Sequence, residues 1–410
     1  MKKTVSALLA AASIWIAGVA GSPAHAQSQP DGDEPGKGEI LVKFKPGASA
    51  NDEAEAHRRH GGKVKGEIAE LGVRVVDVGK GKERDKKGEY AMDSSVLFVE
   101  ENGAYSLLDA PNDPRLPLQW QYDNTGQTGG TADADIDALE AWQAAPAAGV
   151  VRIAVLDTGI DQSHEDVAAK IVANKNYTTS RTVDDRYGHG TDVAGSAAAS
   201  TGNGIGVAGT CPNCTLMNVK VLGDNGSGSW SGIASGIVWA ADNGAQVISM
   251  SLGGGSGSNT VKSAIDYAVN KGVVVVAAAG NSNTSAPSYP AYYANVIAVG
   301  ATDNNDNKAS FSNYGSWVDV AAPGVAILST APDHTNRIWG SGVKYGAISG
   351  TSMSTPHVAG VAGLVLATGR CALGDNICVR ARIEGTTDTI PGIGAYWSHG
   401  RVNANNAIAP

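Results

Sequence analysis

Four short boxes carry side chains able to make and break bonds. Asp157 stands in Val155-Leu-Asp-Thr-Gly-Ile-Asp161, directly after an apolar run. His189 stands in Tyr187-Gly-His-Gly-Thr-Asp-Val-Ala-Gly195, between two glycines and ahead of an alanine-rich stretch. Ser352 stands in Ile348-Ser-Gly-Thr-Ser-Met-Ser-Thr-Pro-His-Val-Ala-Gly360, and Asn281 in Ala277-Ala-Ala-Gly-Asn-Ser282. A neutral serine hydroxyl is a poor nucleophile at pH 7. It needs an imidazole to take its proton and a carboxylate to hold that imidazole. A nearby amide can donate to the oxyanion that follows. Each box also has an ordinary reading: a turn or cap aspartate, a helix-start histidine, a helix-capping serine, a turn asparagine. Together, in the order Asp, His, Ser, they point to acyl transfer.

Such groups need a scaffold that brings distant boxes together. Apolar strand runs are expected at 151–156, 215–221, 246–250, 273–277 and 296–299. Helices are expected at 191–199, 231–243, 260–270 and 355–367. Buried strands alternating with helices imply a parallel sheet with helices on both faces. In such sheets, sites form at the carboxyl ends of strands, and Asp157 follows one. A nucleophile just ahead of the helix at 355–367 would meet backbone N–H groups that favour negative charge.

The chain divides near residue 108. Residues 27–108 carry 29 charged residues among 82, and residues 109–410 carry 40 among 302. Within the first part, strands are expected at 39–45, 73–78 and 95–99, with a helix at 51–60. That composition fits a small charged α+β unit ahead of a large glycine-rich domain. Residues 27–38 read as a polar linker. Residues 1–26 read as a signal peptide: Lys2 and Lys3, an apolar run, then Ala24-His25-Ala26. A membrane anchor is the rival reading, but the run is short, and no later stretch is long and apolar enough to span a bilayer.

Export makes the four cysteines candidates for disulfides. Local pairing, Cys211 with Cys214 and Cys371 with Cys378, is one of three possibilities. A zinc site is the alternative, although the second pair lacks CxxC spacing. The net charge of −9 and the lack of a basic cluster speak against nucleic-acid binding.

The four boxes, with the ending Tyr396-Trp-Ser-His-Gly-Arg-Val-Asn403, resemble the subtilisin-like serine proteases across nearly all of 109–410. Their chain order is also that of subtilisin. Residues 39–108, closing with Val99-Glu-Glu101, are similar to the family's inhibitory propeptide. The resemblance implies an α/β, three-layer subtilisin-like fold with a mostly parallel central sheet, preceded by a small α+β propeptide. It implies a secreted, monomeric endopeptidase of broad specificity, extracellular or periplasmic, that processes its own precursor.

By the same resemblance, Asp157, His189 and Ser352 form the triad, with Asn281 at the oxyanion. Gly226, Ser227 and Gly228 would pair with the substrate backbone from one side; Ser251, Leu252, Gly253 and Gly254 would pair from the other. Ala278, Ala279, Gly280 and Ser288 would line an uncharged pocket for an apolar or aromatic P1 side chain, with Trp230 and Ile233 further upstream. Ca²⁺ would be held by Asp113, Asp166, Asn203 and the carbonyls of Thr201, Ile205 and Val207. A weaker cation site would use Asp319 with the carbonyls of Ala291, Tyr293 and Val296. A third family site, ahead of the histidine box, is reduced to Asp184 and Asp185.

Two residues depart from the family pattern. Asp192 stands where a second histidine is usual, one helical turn after His189, and is expected to raise the His189 pKa. Ser354 replaces a usual alanine without removing a reacting group. Two rival readings remain. A lipase-type hydrolase would want G-x-S-x-G with Asp and His after the serine, and both requirements fail here. A non-enzymatic scaffold would usually lack one of the four groups.

Overall fold

The computed structural model describes residues 37–102, 111–145 and 149–410. The signal segment, nearly all of the linker and the junction near 108 lie outside them. The chain separates into two compact units, Met1–Leu107 and Leu108–Pro410.

The first unit runs β1 (Glu39–Phe44), α1 (Ala50–His60), β2 (Lys63–Ile68), β3 (Val73–Asp77), α2 (Glu83–Ala91), β4 (Val96–Glu101). Its antiparallel sheet has the order β2-β3-β1-β4. Ile40, Val42, Val76 and Tyr90 form its buried centre. Ser49 caps α1 by accepting from the Asp52 N–H, and Asp52 answers at the Ser49 N–H, so two otherwise orphaned donors are satisfied. The elements β2 and α2 were not expected. Lys63-Val-Lys-Gly-Glu-Ile68 is almost wholly exposed, and α2 buries only Tyr90, so neither shows an apolar period.

The second unit begins with α3 (Ala138–Ala144), β5 (Arg152–Asp157), β6 (Ile171–Asn176), α4 (His189–Ala198), β7 (Thr215–Lys220) and α5 (Trp230–Asp242). It continues with β8 (Val247–Met250), α6 (Asn259–Asn270), β9 (Val274–Ala278), β10 (Ile297–Thr302) and β11 (Val320–Pro323). A hairpin of β12 (Ile327–Thr330) and β13 (Tyr345–Ile348) precedes α7 (Thr351–Ala367), α8 (Asn376–Gly385) and α9 (Ala404–Ile408).

Seven strands form one parallel sheet in the order β11-β10-β9-β8-β5-β7-β6. Alternate residues of β5 feed two cores. Ile153 and Val155 join α4 and α7, while Ala154 and Leu156 join α5 and α6. Helices therefore cover both faces, as three layers require. Burying an Ile such as Ile265 of α6 supplies about 1.5–3 kcal/mol, which local propensity alone would not.

The fourth expected helix starts earlier than the sequence suggested. The small-residue run places its start near Thr355. Instead α7 begins at Thr351, and Pro356 lies inside it. Ser352 is thus the second helical residue and not a residue ahead of the helix. Gly350 occupies the cap position without a side-chain bond.

Candidate active site

The first turn beyond β5 is built to present Asp157. Its Oδ1 accepts from the Thr158 N–H at 2.7 Å and faces His189 Nδ1 at 2.7 Å. Lys220, at the end of neighbouring β7, is wholly buried and donates to the Thr158 carbonyl. It also reaches the Asp184 carbonyl at 3.0 Å and Asp224 Oδ1 at 2.9 Å. Asp157 is 1% exposed and His189 17%, so only the imidazole meets solvent.

His189 opens α4, whose cap residue is Gly188. The missing cap comes from Asp185. Its Oδ1 accepts from the Gly188 N–H at 2.8 Å, the Tyr187 N–H at 3.1 Å and the Thr158 hydroxyl at 2.8 Å. Its Oδ2 accepts from the Thr191 N–H at 2.9 Å and hydroxyl at 2.8 Å. Burial raises the Asp185 pKa, opposed by these bonds. By its sequence Asp185 marks only what is left of a family cation site. The signal that could have revealed it is a carboxylate four residues before a helix-opening histidine.

Burial pulls the His189 pKa down, but the charge and hydrogen bond of Asp157, with Asp192 and Asp185 behind it, outweigh this and push it up to about 9. Asp192 is wholly buried in α4, and among the described residues neither of its carboxyl oxygens has a hydrogen-bond partner. Burial raises its pKa well above the carboxylate range. His357 of α7 is likewise buried, and burial lowers its pKa to about 3 against a hydrogen bond to the Pro323 backbone.

Ser352 Oγ donates to the Ser251 carbonyl at 3.3 Å, and Ser251 Oγ donates to the Ser352 carbonyl at 2.7 Å. Asn281 is oriented from the neighbouring residue. Its Oδ1 accepts from the Thr351 N–H and hydroxyl, both at 2.9 Å. The amide NH₂ is therefore left as its available group. Among the described residues, the Ser352 N–H makes no hydrogen bond either. Two donors thus stand free at the start of α7.

A cleft of about 400 Å³ adjoins His189. Gly226, Ser227, Gly228, Trp230 and Ile233 line one side, and Ser251, Leu252, Gly253 and Gly254 the other. Ser227 spends its carbonyl on the Gly223 N–H at 2.9 Å and its N–H on Asn225 at 3.0 Å. A Cβ on Gly228 would come within 2.2 Å of the Val221 carbonyl, so only glycine fits there. One expectation is corrected. Gly254 pairs through both backbone groups with Tyr289, each bond 2.8 Å, so it has none left for a substrate. Ala278, Ala279, Gly280 and Ser288 lie outside this cleft but close to one another. A Cβ added to Gly280 or Gly253 would stand 3.3 or 3.2 Å from Ser288 Oγ.

The loop 201–207 gathers Asp113 and Asp166. Asp113 accepts from the N–H groups of Gly202 at 2.8 Å and Asn203 at 3.3 Å. Asp166 accepts from Asn203 Nδ2 and the Val207 N–H, each at 2.9 Å. Both are buried, and burial raises the pKa of each. Among the described residues no Lys or Arg pairs with either, so this oxygen-rich pair fits a hard divalent cation.

At the second expected cation site the carboxylate already has a charge partner. Arg380 of α8 donates to Asp319 Oδ1 at 2.9 Å, the Val296 carbonyl at 3.2 Å and the Ala294 carbonyl at 2.9 Å. A guanidinium thus takes the charge that a bound cation would have met. Ahead of the histidine box, Asp184 Oδ2 lies 3.1 Å from His334 Nε2 and 3.2 Å from Arg186. Cys211 is bonded to Cys214 and Cys371 to Cys378, which removes the zinc alternative.

An Asp–His pair at the carboxyl edge of a parallel sheet, with a serine in a helix's first turn, is the layout of an α/β serine hydrolase. Residues 149–387 match the subtilase family of peptidases, and residues 21–102 match the fervidolysin N-terminal prodomain. Thermitase of Thermoactinomyces vulgaris is 50% identical over 299 residues, covering 73% of this chain and 99% of thermitase. A thermophilic serine proteinase of Bacillus sp. strain AK1 is 41% identical over 386 residues, covering 91% and 87%. Among solved structures, a protease from Pseudoalteromonas arctica PAMC 21717 superposes with a TM-score of 0.63 at 36% identity, covering 73% and 99%. The chain belongs to the subtilase family: it is a serine endopeptidase with an N-terminal prodomain.

Proposed function

We propose that Ser352 is the nucleophile, His189 the general base and acid, Asp157 its orienting carboxylate and Asn281 an oxyanion donor. The observation that carries this reading is the 2.7 Å Asp157–His189 bond at the sheet edge that also holds Ser352. Ser352 Oγ attacks the scissile carbonyl carbon while its proton passes to His189 Nε2. The oxyanion is received by the Asn281 NH₂ and the Ser352 N–H. Collapse breaks the C–N bond, and His189 returns the proton to the leaving amine. Water then repeats the sequence on the acyl-enzyme.

The substrate backbone lies between Gly226–Gly228 and Ser251–Gly253, where Gly228 keeps its backbone groups unpaired among the described residues. Backbone pairing gives affinity without sequence preference. Uncharged Ala278, Ala279, Gly280 and Ser288 favour an apolar or aromatic P1 residue. The boundaries we assign are 1–26 signal peptide, 27–38 linker, 39–108 inhibitory propeptide and 109–410 catalytic domain. The export signal makes the mature enzyme secreted, and it acts as a monomer. Among the described residues no helix is long and apolar enough to cross a membrane. Ca²⁺, held by Asp113, Asp166, Asn203 and the carbonyls of Thr201, Ile205 and Val207, would neutralise the two buried carboxylates and stiffen the loop that holds them.

The test is intact mass and casein hydrolysis of the expressed precursor beside Ser352→Ala. Wild type should lose the segment before about residue 109, as the proposed boundary requires, and digest casein. The variant should stay full length and inert. Equal maturation and equal hydrolysis would refute the triad assignment.

A further inference from the structure

Pro356 sits within α7 and has no N–H. In an unbroken α-helix that N–H would donate to the carbonyl of Ser352, four residues earlier. The Ser352 carbonyl is therefore left without its helical partner at the turn that carries the reacting hydroxyl. The structure fills the vacancy from another element. Ser251, directly after β8 and 4% exposed, donates its hydroxyl to the Ser352 carbonyl at 2.7 Å.

We infer that Ser251 is a positioning residue for Ser352, its hydroxyl standing in for the N–H that Pro356 lacks. This rests on the reading of Ser352 as nucleophile. Anchoring the carbonyl fixes the Ser352 peptide, and with it the direction of the Cα–Cβ bond and of the adjacent N–H. The bond ties the first turn of α7 to the end of a central sheet strand, so the hydroxyl is aimed from the sheet. The Ser251 carbonyl, which receives the Ser352 hydroxyl at 3.3 Å, holds the resting rotamer from the same residue. The side-chain role is separate from the place of the Ser251 backbone in the substrate cleft.

The two roles separate in a double-mutant cycle, because Pro356→Ala restores a helical N–H to the same carbonyl. Ser251→Ala, matured in trans by a trace of wild type, should lose about 10- to 100-fold in kcat with KM little changed, since small misplacement of a reacting group costs rate and not binding. Phosphonylation of Ser352 by a small fluorophosphonate, which does not occupy the upstream cleft, should slow in parallel. Pro356→Ala alone should react close to wild type. Ser251→Ala/Pro356→Ala should regain at least about tenfold in both assays. If Ser251→Ala does not fold, Ser251→Cys, a weaker donor, should give an intermediate rate that Pro356→Ala again restores.

Wild-type rates in Ser251→Ala would overturn the inference. So would a loss that Pro356→Ala leaves unrepaired, since the hydroxyl would then act on something other than that carbonyl. An active Ser352→Ala would instead remove the nucleophile assignment itself, whatever the Ser251 variants do.

Discussion

Asp185 holds Thr191 twice, at the N–H and at the hydroxyl, and so locks the first turn of the helix that carries His189. The same carboxylate reaches Thr158, the residue after Asp157. One buried group thus sets the spacing between the two members of the 2.7 Å Asp–His pair. Asp185→Asn keeps the shape but turns an NH₂ toward donors it cannot satisfy. Unfolding free energy should fall by about 2–3 kcal/mol, and kcat should drop more than KM rises. Denaturant melts and steady-state kinetics read the two effects. Unchanged stability would mean that Asp185 does not fasten the helix start.

A His189 pKa pushed up to about 9 puts the acidic limb of kcat/KM well above the ordinary histidine range, and activity should still be rising past neutral pH. Asp192 contributes to that rise from one turn away, so Asp192→Asn should move the limb to lower pH. Superimposable profiles would show that Asp192 stays protonated throughout and does not act on His189. Stability gives a second readout with a definite sign. The folded pKa of Asp192 lies above its unfolded value of 3.8, so its contribution is present below that value and is lost as pH rises through the folded pKa. Asp192→Asn should flatten this loss.

The carboxylates of Asp113 and Asp166 follow the same sign. Burial raises both folded pKa values, so without a cation they cost stability as pH rises. Chelation at neutral pH should lower Tm, and Ca²⁺ at a hundred times its Kd should restore about 2.7 kcal/mol. Asp166→Asn should melt lower in Ca²⁺ and lose most of the response. A wild-type Tm indifferent to both chelator and Ca²⁺ would remove the calcium reading.

Arg380 occupies the Asp319 site, so wild-type Tm should not distinguish potassium from sodium or choline. Arg380→Ala leaves Asp319 without its charge partner and should cost about 1–3 kcal/mol, less than for a wholly buried pair because the guanidinium is partly exposed. The variant's Tm should then respond to monovalent cations. A specific cation response already present in wild type would contradict the guanidinium's role.

The chemistry of this protein is legible in the chain because catalysis needs particular side chains in tight glycine-rich turns, and both leave local marks. Asp157, His189, Ser352 and Asn281, proposed for the chemistry, each stand in such a box. The apolar strands β5, β7, β8, β9 and β10 show themselves because both faces are buried. β6 does not, since Ile171-Val-Ala-Asn-Lys-Asn176 lies at the sheet edge with only partial burial. What the sequence could not decide are the partnerships between distant segments. Nothing near Pro356 in the chain reveals that Ser251, 101 residues before Ser352, supplies the missing donor to the Ser352 carbonyl. Arg380 and Asp319, 61 residues apart, meet only when α8 packs beside the sheet. Composition and local pattern determine which groups are present and what they can do. Tertiary packing alone determines which of them are neutralised, which are aimed and which stay free, because hydrogen bonds and charges are satisfied in space and not along the chain.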